Sequence, residues 1–191
     1  VPEAARTRHP VVSLPRGLAE RIDLAALFPG FTPQPWGGED DALDLTETNV
    51  LVWREDAGGE QPQRLVLLDT PDIDGTLRDN WRRAELIRNA CDVIVAVLTQ
   101  QKYNDAAVRD FFAAAAAAGK TLFVVFNMVD WPAQRQVIAG WLQTFMLETS
   151  AAPAAVYAAP FDRDAAAAGR IEFHAIPELT SDGLAIDLQQ R

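Results

Sequence analysis

The sequence predicts an α/β fold with three layers, in which helices cover both faces of a mostly parallel, doubly wound sheet. The order of the segments along the chain predicts it. Short apolar segments at 64–68, 93–98 and 122–126 alternate with helical segments, and this alternation is typical of parallel strands joined by crossover helices. The chain has 191 residues, of which 49% are hydrophobic, so it is long enough for one domain with a buried core. We therefore expect a single domain over residues 1–191.

The first third of the chain predicts two strands, a short helix and a long loop. Pro10–Leu14 is a predicted strand, and Leu18–Phe28 a predicted short helix that Pro29 and Gly30 end. The segment 32–44 is rich in proline, glycine and acidic residues, which is typical of a surface loop. Thr48–Trp53 follows as a predicted edge strand.

The middle of the chain carries the alternation most clearly. Arg64–Leu68 is a continuous apolar strand, as expected where a sheet is covered on both faces. Apolar positions at helical spacing then predict a helix up to Cys91, and Val93–Leu98 is the next strand. Asp105–Ala118 is a predicted helix whose alanine run allows close packing.

The remaining segments continue the same order. Leu122–Phe126 is a predicted buried strand, Gln134–Leu147 a helix and Ala155–Ala158 a short last strand. Residues 163–191 are a tail or the start of a following helical region.

Composition and charge restrict the classes of function. The net charge of −10 disfavours nucleic acid or anionic lipid as the main partner. The single cysteine, Cys91, excludes an internal disulfide and favours a reducing, cytoplasmic location. No apolar run approaches the ~20 residues of a transmembrane helix. Because the chain begins at Val1 rather than at methionine, we expect sequence upstream of it.

Two polar segments follow predicted strands, where parallel α/β sheets place their ligand sites. One is Asp69-Thr70-Pro71-Asp72 and the other is Asn127-Met128-Val129-Asp130. In the second, the carboxylate of Asp130 suits the N1–H and the exocyclic amine of guanine, a donor pair that adenine lacks. The alternative is an ordinary Asn/Asp turn after a strand.

In the first segment, a carboxylate directly after an apolar strand can hold a magnesium-bound water, as Walker-B acids do. Asp69 has this position, with a helix-capping acid as the alternative interpretation. About sixty residues separate the two segments, and they hold helix, strand, helix and strand in the required order.

These residues resemble the GTPase domains of the Era, TrmE and dynamin-related kind, which have the P-loop NTPase fold. The resemblance runs from Thr7 to Tyr157 and rests on Thr7-Arg8 (switch I), Leu65–Asp72 (the D-T-P motif) and Phe126–Asp130 (the N-x-x-D motif). It implies GTP or GDP as ligand and Mg²⁺ as cofactor, with the metal at Thr7 and Asp69.

The chain departs from this pattern at several places. Met128 replaces the usual lysine, Asp72 replaces a glycine, and Ile73 follows where some GTPases carry a water-orienting glutamine. No Gly-x-x-x-x-Gly-Lys-Ser/Thr is present, and we interpret Lys120 as a solvated residue at a turn. The phosphate-binding loop and first strand would precede Val1. We predict no catalytic residue and expect the 191-residue chain to bind GTP weakly and to hydrolyse none.

Two alternatives remain open. Asp72-Ile73-Asp74-Gly75-Thr76-Leu77 matches the D-x-D-G-T-L signature of haloacid-dehalogenase-like phosphatases, with Asp72 as nucleophile and Asp74 as general acid. The other is a non-catalytic pseudo-GTPase that binds a protein partner or a second copy. Neither histidine has a partner at metal-ligand spacing, so we expect His9 and His174 to be solvated. We expect Trp131 to be a core or domain-contact residue, with a place beside the base as the alternative.

Overall fold

The computed structural model describes residues 9–38, 49–71, 78–100 and 105–177. The chain divides into two compact units, Val1–Ala90 and Cys91–Arg191, and each is described by itself. The fold is α/β, as predicted, but the described strands form two four-stranded sheets where the sequence predicted one. The single domain over residues 1–191 stays a prediction.

The first unit contains a mixed sheet in the order β2-β3-β1-β4. Strand β3 pairs in parallel with both β1 and β2, whereas β4 pairs antiparallel with β1. The described elements of this unit are β1 (Val11–Leu14), α1 (Leu24–Leu27), β2 (Thr32–Pro35), β3 (Val50–Glu55), β4 (Leu67–Asp69) and α2 (Arg78–Ala90).

The prediction of a loop throughout residues 32–44 is wrong, because β2 is a strand despite its two prolines. The prolines alternate with residues that donate to β3: the amides of Thr32 and Trp36 donate to the carbonyls of Asn49 and Trp53, both at 2.8 Å. Proline is tolerated on an edge strand when its missing donor faces outward. Strand β3 therefore lies between two neighbours, and the prediction that it is an edge strand is wrong.

Strand β4 also differs from the prediction. It begins at Leu67, three residues later than expected, and β1 is its only partner among the described strands. Its apolar side chains are not covered on both faces, since Leu67 is 50% exposed, and Leu65 just before the strand is 41% exposed. A continuous apolar run therefore does not mark a buried interior strand here.

The second unit follows the predicted alternation closely. Its sheet has the order β5-β6-β7-β8, with β5, β6 and β7 parallel and β8 antiparallel to β7. The predicted strand at 93–98 and the helix at 105–118 are confirmed. The described elements are β5 (Val93–Leu98), α3 (Ala106–Ala117), β6 (Thr121–Val129), α4 (Arg135–Thr149), β7 (Ala155–Pro160), α5 (Arg163–Ala167) and β8 (His174–Ala175).

An aromatic core holds α3 and α4 in this unit. The ring of Phe145 on α4 lies 5.3 Å from that of Phe112 on α3, and Phe126 on β6 lies 5.9 Å from Trp141. All four side chains are buried, and each stabilises the fold by about 1.5–3 kcal/mol through lost apolar exposure. Strand β6, which carries one of the predicted motifs, is thus firmly supported.

Candidate functional site

The N-x-x-D motif lies partly within a strand, not in a loop after it. Strand β6 continues to Val129, and its register against β7 shifts between Asn127 and Val129. Met128 forms the irregularity, with a left-handed φ of 59°. The amide of Met128 donates to Oδ1 of Asn127 at 2.9 Å, so the asparagine side chain stabilises the bulge.

The backbone of Met128 in this bulge is strained, although its side chain does not pack in the core. A left-handed backbone at a residue other than glycine costs roughly 1–3 kcal/mol and concentrates at functional sites. The side chain of Met128 is 62% exposed, so burial does not offset the strain. An exposed and strained residue between Asn127 and Asp130 favours a binding role for this segment.

The backbone amide and carbonyl of Asp130 each form a hydrogen bond with Gln134, just before α4. Its amide donates to Oε1 of Gln134 at 3.0 Å, and its carbonyl accepts from the amide of Gln134 at 2.8 Å. Its carboxylate is exposed and has no hydrogen bond or ion pair to any residue that the structure describes. The nitrogen of the Asn127 side chain has no such partner either. Both groups are therefore available to a ligand.

Trp131 is held by neighbours that the sequence did not reveal. Its ring stacks on His174 at 5.7 Å with an interplanar angle of 16°, and the guanidinium of Arg135 lies 6.0 Å from its centroid. The prediction that His174 is solvated is wrong, because it is half-buried against this ring. Sequence reasoning missed the pair because β8, which carries His174, is only two residues long.

Phe161 is a further residue that the sequence analysis did not single out. Its amide donates to the carbonyl of Val129 at 3.3 Å, which fixes the end of β7 beside the N-x-x-D segment. Its side chain is 58% exposed, and Arg163 lies 5.4 Å above its ring. The signal that the sequence offered was an aromatic residue shortly after the last predicted strand.

In the first unit, Asp69 lies at the end of β4, in register with Val11 of β1. Although the residue is largely exposed, partial burial of its carboxyl raises the pKa, and a hydrogen bond from the Thr70 amide only partly opposes this. Thr70 is exposed and Pro71 half-buried. No positively charged group is among the causes of this shift, so none nearby stabilises the ionised carboxylate of Asp69.

Several predicted residues lie outside the described part of the chain. These are Thr7, Asp72 and Asp74, so the second predicted magnesium ligand and the phosphatase alternative both remain predictions. Within the described ranges, no group of three or more His, Cys, Asp or Glu side chains is arranged to hold a metal ion. Magnesium binding also stays a prediction.

The prediction that His9 is solvated is wrong. Its side chain is 3% exposed, and its Nδ1 has no hydrogen-bond partner among the described residues. It lies two residues before Val11, the register partner of Asp69. Nothing in the local sequence indicates this burial.

Lys120 lies at a turn, as predicted, but it is not simply solvated. Its Nζ donates to the carbonyl of Cys91 at 2.6 Å and is part-buried there. Gly119 before it has a φ of 67° and turns the chain from α3 into β6. Lys120 thus ties this turn to the start of β5.

Comparisons of the chain with protein-family models, with curated proteins and with solved structures found no significant match. The resemblance to GTPases therefore depends on the motif residues themselves. None of the helices within the described ranges has the length and apolar character needed to cross a bilayer.

Proposed function

We propose that the chain is a guanine-nucleotide-binding domain of a magnesium-dependent GTPase. In this proposal Asn127 and Asp130 read the base and Asp69 serves the metal side. The observation that carries the proposal is the unpaired carboxylate of Asp130, which is fixed at the end of β6 by its backbone bonds to Gln134.

The chemistry of Asp130 favours guanine over adenine. An ionised carboxylate accepts two hydrogen bonds, and guanine offers two adjacent donors on one edge. Adenine would leave the carboxylate unpaired on that edge, with a penalty of about 1–3 kcal/mol. Because the backbone of Asp130 is already fixed, little ordering opposes binding. The free amide of Asn127 supplies a further donor for the same ligand.

The exposed side chain of Met128 supports the same proposal. Its thioether and methylene groups provide an apolar, polarisable surface. We propose that this surface lies against the base, in place of the lysine stem of related motifs. The left-handed φ that presents Met128 beside Asp130 is then part of the binding geometry.

On the metal side, the proposal assigns the cation to Asp69. The carboxyl of Asp69 has a raised pKa and forms no ion pair with any residue that the structure describes. Magnesium, when bound, would neutralise phosphate charge. Asp69 would hold it directly or through water. We propose no catalytic residue, since Asp72 and Ile73 lie outside the described residues.

The test is an NMR titration of the ¹⁵N-labelled chain with GDP and with ADP, since NMR detects the weak binding expected without a phosphate loop. GDP is expected to shift the amides around Asp130 at lower concentration than ADP does. The Asp130→Asn variant exchanges an acceptor for a donor, so it should lose GDP and favour xanthosine diphosphate, which has a carbonyl in place of the amine.

The matched control is Asp110→Asn, which changes an exposed aspartate on α3. This variant should keep the preference for GDP. Equal affinity of the unmodified chain for GDP and ADP would contradict the proposal. So would a GDP preference that survives in Asp130→Asn.

A further inference from the structure

We propose that the ring of Phe161 is the platform on which the base of the bound nucleotide stacks. The proposal rests on the proposed function, because it concerns the same ligand at the same end of the sheet. It goes further in adding a binding residue. It also assigns part of the affinity to the face of the base, which every purine has, and not only to its edge.

The first argument is the position of Phe161 next to the N-x-x-D segment. Val129 and Pro160 are register partners in the parallel pair of β6 and β7, and Asp130 and Phe161 follow them directly. The amide of Phe161 donates to the carbonyl of Val129 at 3.3 Å, so the two strand ends are hydrogen-bonded at this point. Neighbouring strands lie about 4.8 Å apart. Phe161 and Asp130 thus start from adjacent backbone positions at the same end of the sheet.

The second argument is the exposure of the ring. Phe161 is 58% exposed and Met128 is 62% exposed, although both side chains are large and apolar. Met128 lies two residues before Asp130 on β6, and Phe161 follows the neighbouring strand β7. Exposed apolar side chains therefore accompany the Asp130 carboxylate on both strands. Apolar surface with a few fixed polar groups is typical of small-molecule sites.

The third argument distinguishes Phe161 from Trp131, the aromatic residue directly after Asp130. The ring of Trp131 already stacks on His174 at 5.7 Å, and the guanidinium of Arg135 lies 6.0 Å from its centroid. The ring of Phe161 stacks on no other ring within the described ranges. The guanidinium of Arg163 lies 5.4 Å from its centroid, and one cation covers only one face of a ring. The other face of Phe161 is the one that we assign to the base.

The fourth argument is that the backbone around Phe161 is fixed before a ligand binds. Asp162, the next residue, caps α5: its carboxylate accepts from the amide of Ala165 at 2.9 Å, and its carbonyl accepts from the amide of Ala166 at 3.0 Å. Together with the bond to Val129, these hydrogen bonds hold the chain at Phe161 and directly after it. Little backbone freedom is therefore lost when a base stacks on the ring.

The experiment is an NMR titration of the chain, ¹³C-labelled in its phenylalanine rings, with GDP and with ADP. The ring signals of Phe161 are assigned with Phe161→Leu. In the unmodified chain they should shift with either nucleotide and show a nuclear Overhauser effect to H8 of the base. Phe161→Ala should weaken the binding of both nucleotides about tenfold, or about 1.4 kcal/mol, and Phe161→Tyr, which keeps the ring, should bind as the unmodified chain does. The matched control is Leu147→Ala, which removes an apolar side chain that is 75% exposed near the far end of α4. It should leave both affinities unchanged.

Two results would overturn the proposal. They are ring signals of Phe161 that respond to neither nucleotide, and affinities that do not change in Phe161→Ala. Because the ring is observed in the unmodified chain, a folding defect of Phe161→Ala does not affect the first result. The base preference is a separate measurement, since stacking acts on guanine and adenine alike. Equal binding of GDP and ADP, with both bases on Phe161, would contradict only the proposed function. A preference for GDP that is lost in Asp130→Asn, without any response of Phe161, would contradict only the stacking proposal.

Discussion

The ends of β6 and β4 carry the two predicted motifs, and they are built in opposite ways. Strand β6 has nine residues, parallel neighbours on both sides and a buried aromatic underneath. Strand β4 has three residues, one antiparallel neighbour among the described strands, and an exposed leucine, Leu67. The N-x-x-D segment thus has its own rigid support, whereas Asp69 depends on a short edge strand. Rigid support favours selective recognition at the end of β6, since less freedom is lost on binding.

The largest expected effect tests this difference in support. Phe126→Ala removes a fully buried ring from β6 and should lower the free energy of unfolding of the second unit by about 3–5 kcal/mol. Leu67→Ala, on half-exposed β4, should lower that of the first unit by less than about 1.5 kcal/mol, because much of the side chain already contacts water. Urea titrations followed by NMR signals from each unit measure both values. Similar losses in the two variants would contradict the comparison.

The next effect concerns the fixation of Asp130. Gln134→Ala removes the acceptor of the Asp130 amide, which should weaken GDP binding by about 1 kcal/mol, or roughly fivefold, through a less fixed carboxylate. ADP binding should change less, because it does not use that carboxylate. The exposed neighbour Gln136 provides the control variant, Gln136→Ala. An equal loss for both nucleotides would show that Gln134 acts on general stability and not on base recognition.

The same contrast separates what the sequence could predict from what it could not. In the second unit the helices and strands alternate with strong periodicity, and Val93–Leu98 was predicted to the residue. The signal is local there, because β5 and most of β6 are apolar and the helices α3 and α4 each bury an apolar face. In the first unit, β2 contains two prolines and β4 contains three residues. Their existence depends on pairing with β3 and β1, which no local pattern encodes.

The candidate site follows the same division. Asn127 and Asp130 were found from their spacing, and the structure places Asp130 at a strand end as expected. The bulge at Met128 and the stack of Trp131 on His174 were missed. Both depend on contacts between β6, β7 and β8 that are distant in sequence. The burial of His9 was also mispredicted, because no pattern in the neighbouring residues indicates it.

A smaller effect should come from relieving the bulge. Met128→Gly adopts a φ near 59° without strain, so the free energy of unfolding should rise by about 0.5–1 kcal/mol, even after the flexibility of glycine in the unfolded chain is counted. Affinity for GDP should fall, because the exposed apolar surface is lost. A thermal melt and a GDP titration measure the two changes. Met146→Gly, within helix α4, is the contrasting variant and should destabilise. A loss of stability in Met128→Gly would show that the bulge is not strained.

The smallest expected effect is the pH dependence of Asp69. Because burial raises its pKa in the folded state, the folded protein binds this proton more tightly than the unfolded chain, and the ionised carboxylate disfavours folding. The contribution to stability is present below the pKa of the unfolded chain and is lost as the pH rises through that of the folded state. Asp69→Asn should therefore be more stable than the unmodified chain at neutral pH, by less than about 1 kcal/mol for so exposed a group. The difference should vanish in acid, where both side chains are neutral. Unfolding curves at a series of pH values measure it. A cation at Asp69 would reverse the sign at neutral pH, since it would stabilise the carboxylate and not the amide. Repeating the curves with Mg²⁺ thus tests whether a cation stabilises the carboxylate of Asp69 on the short strand β4.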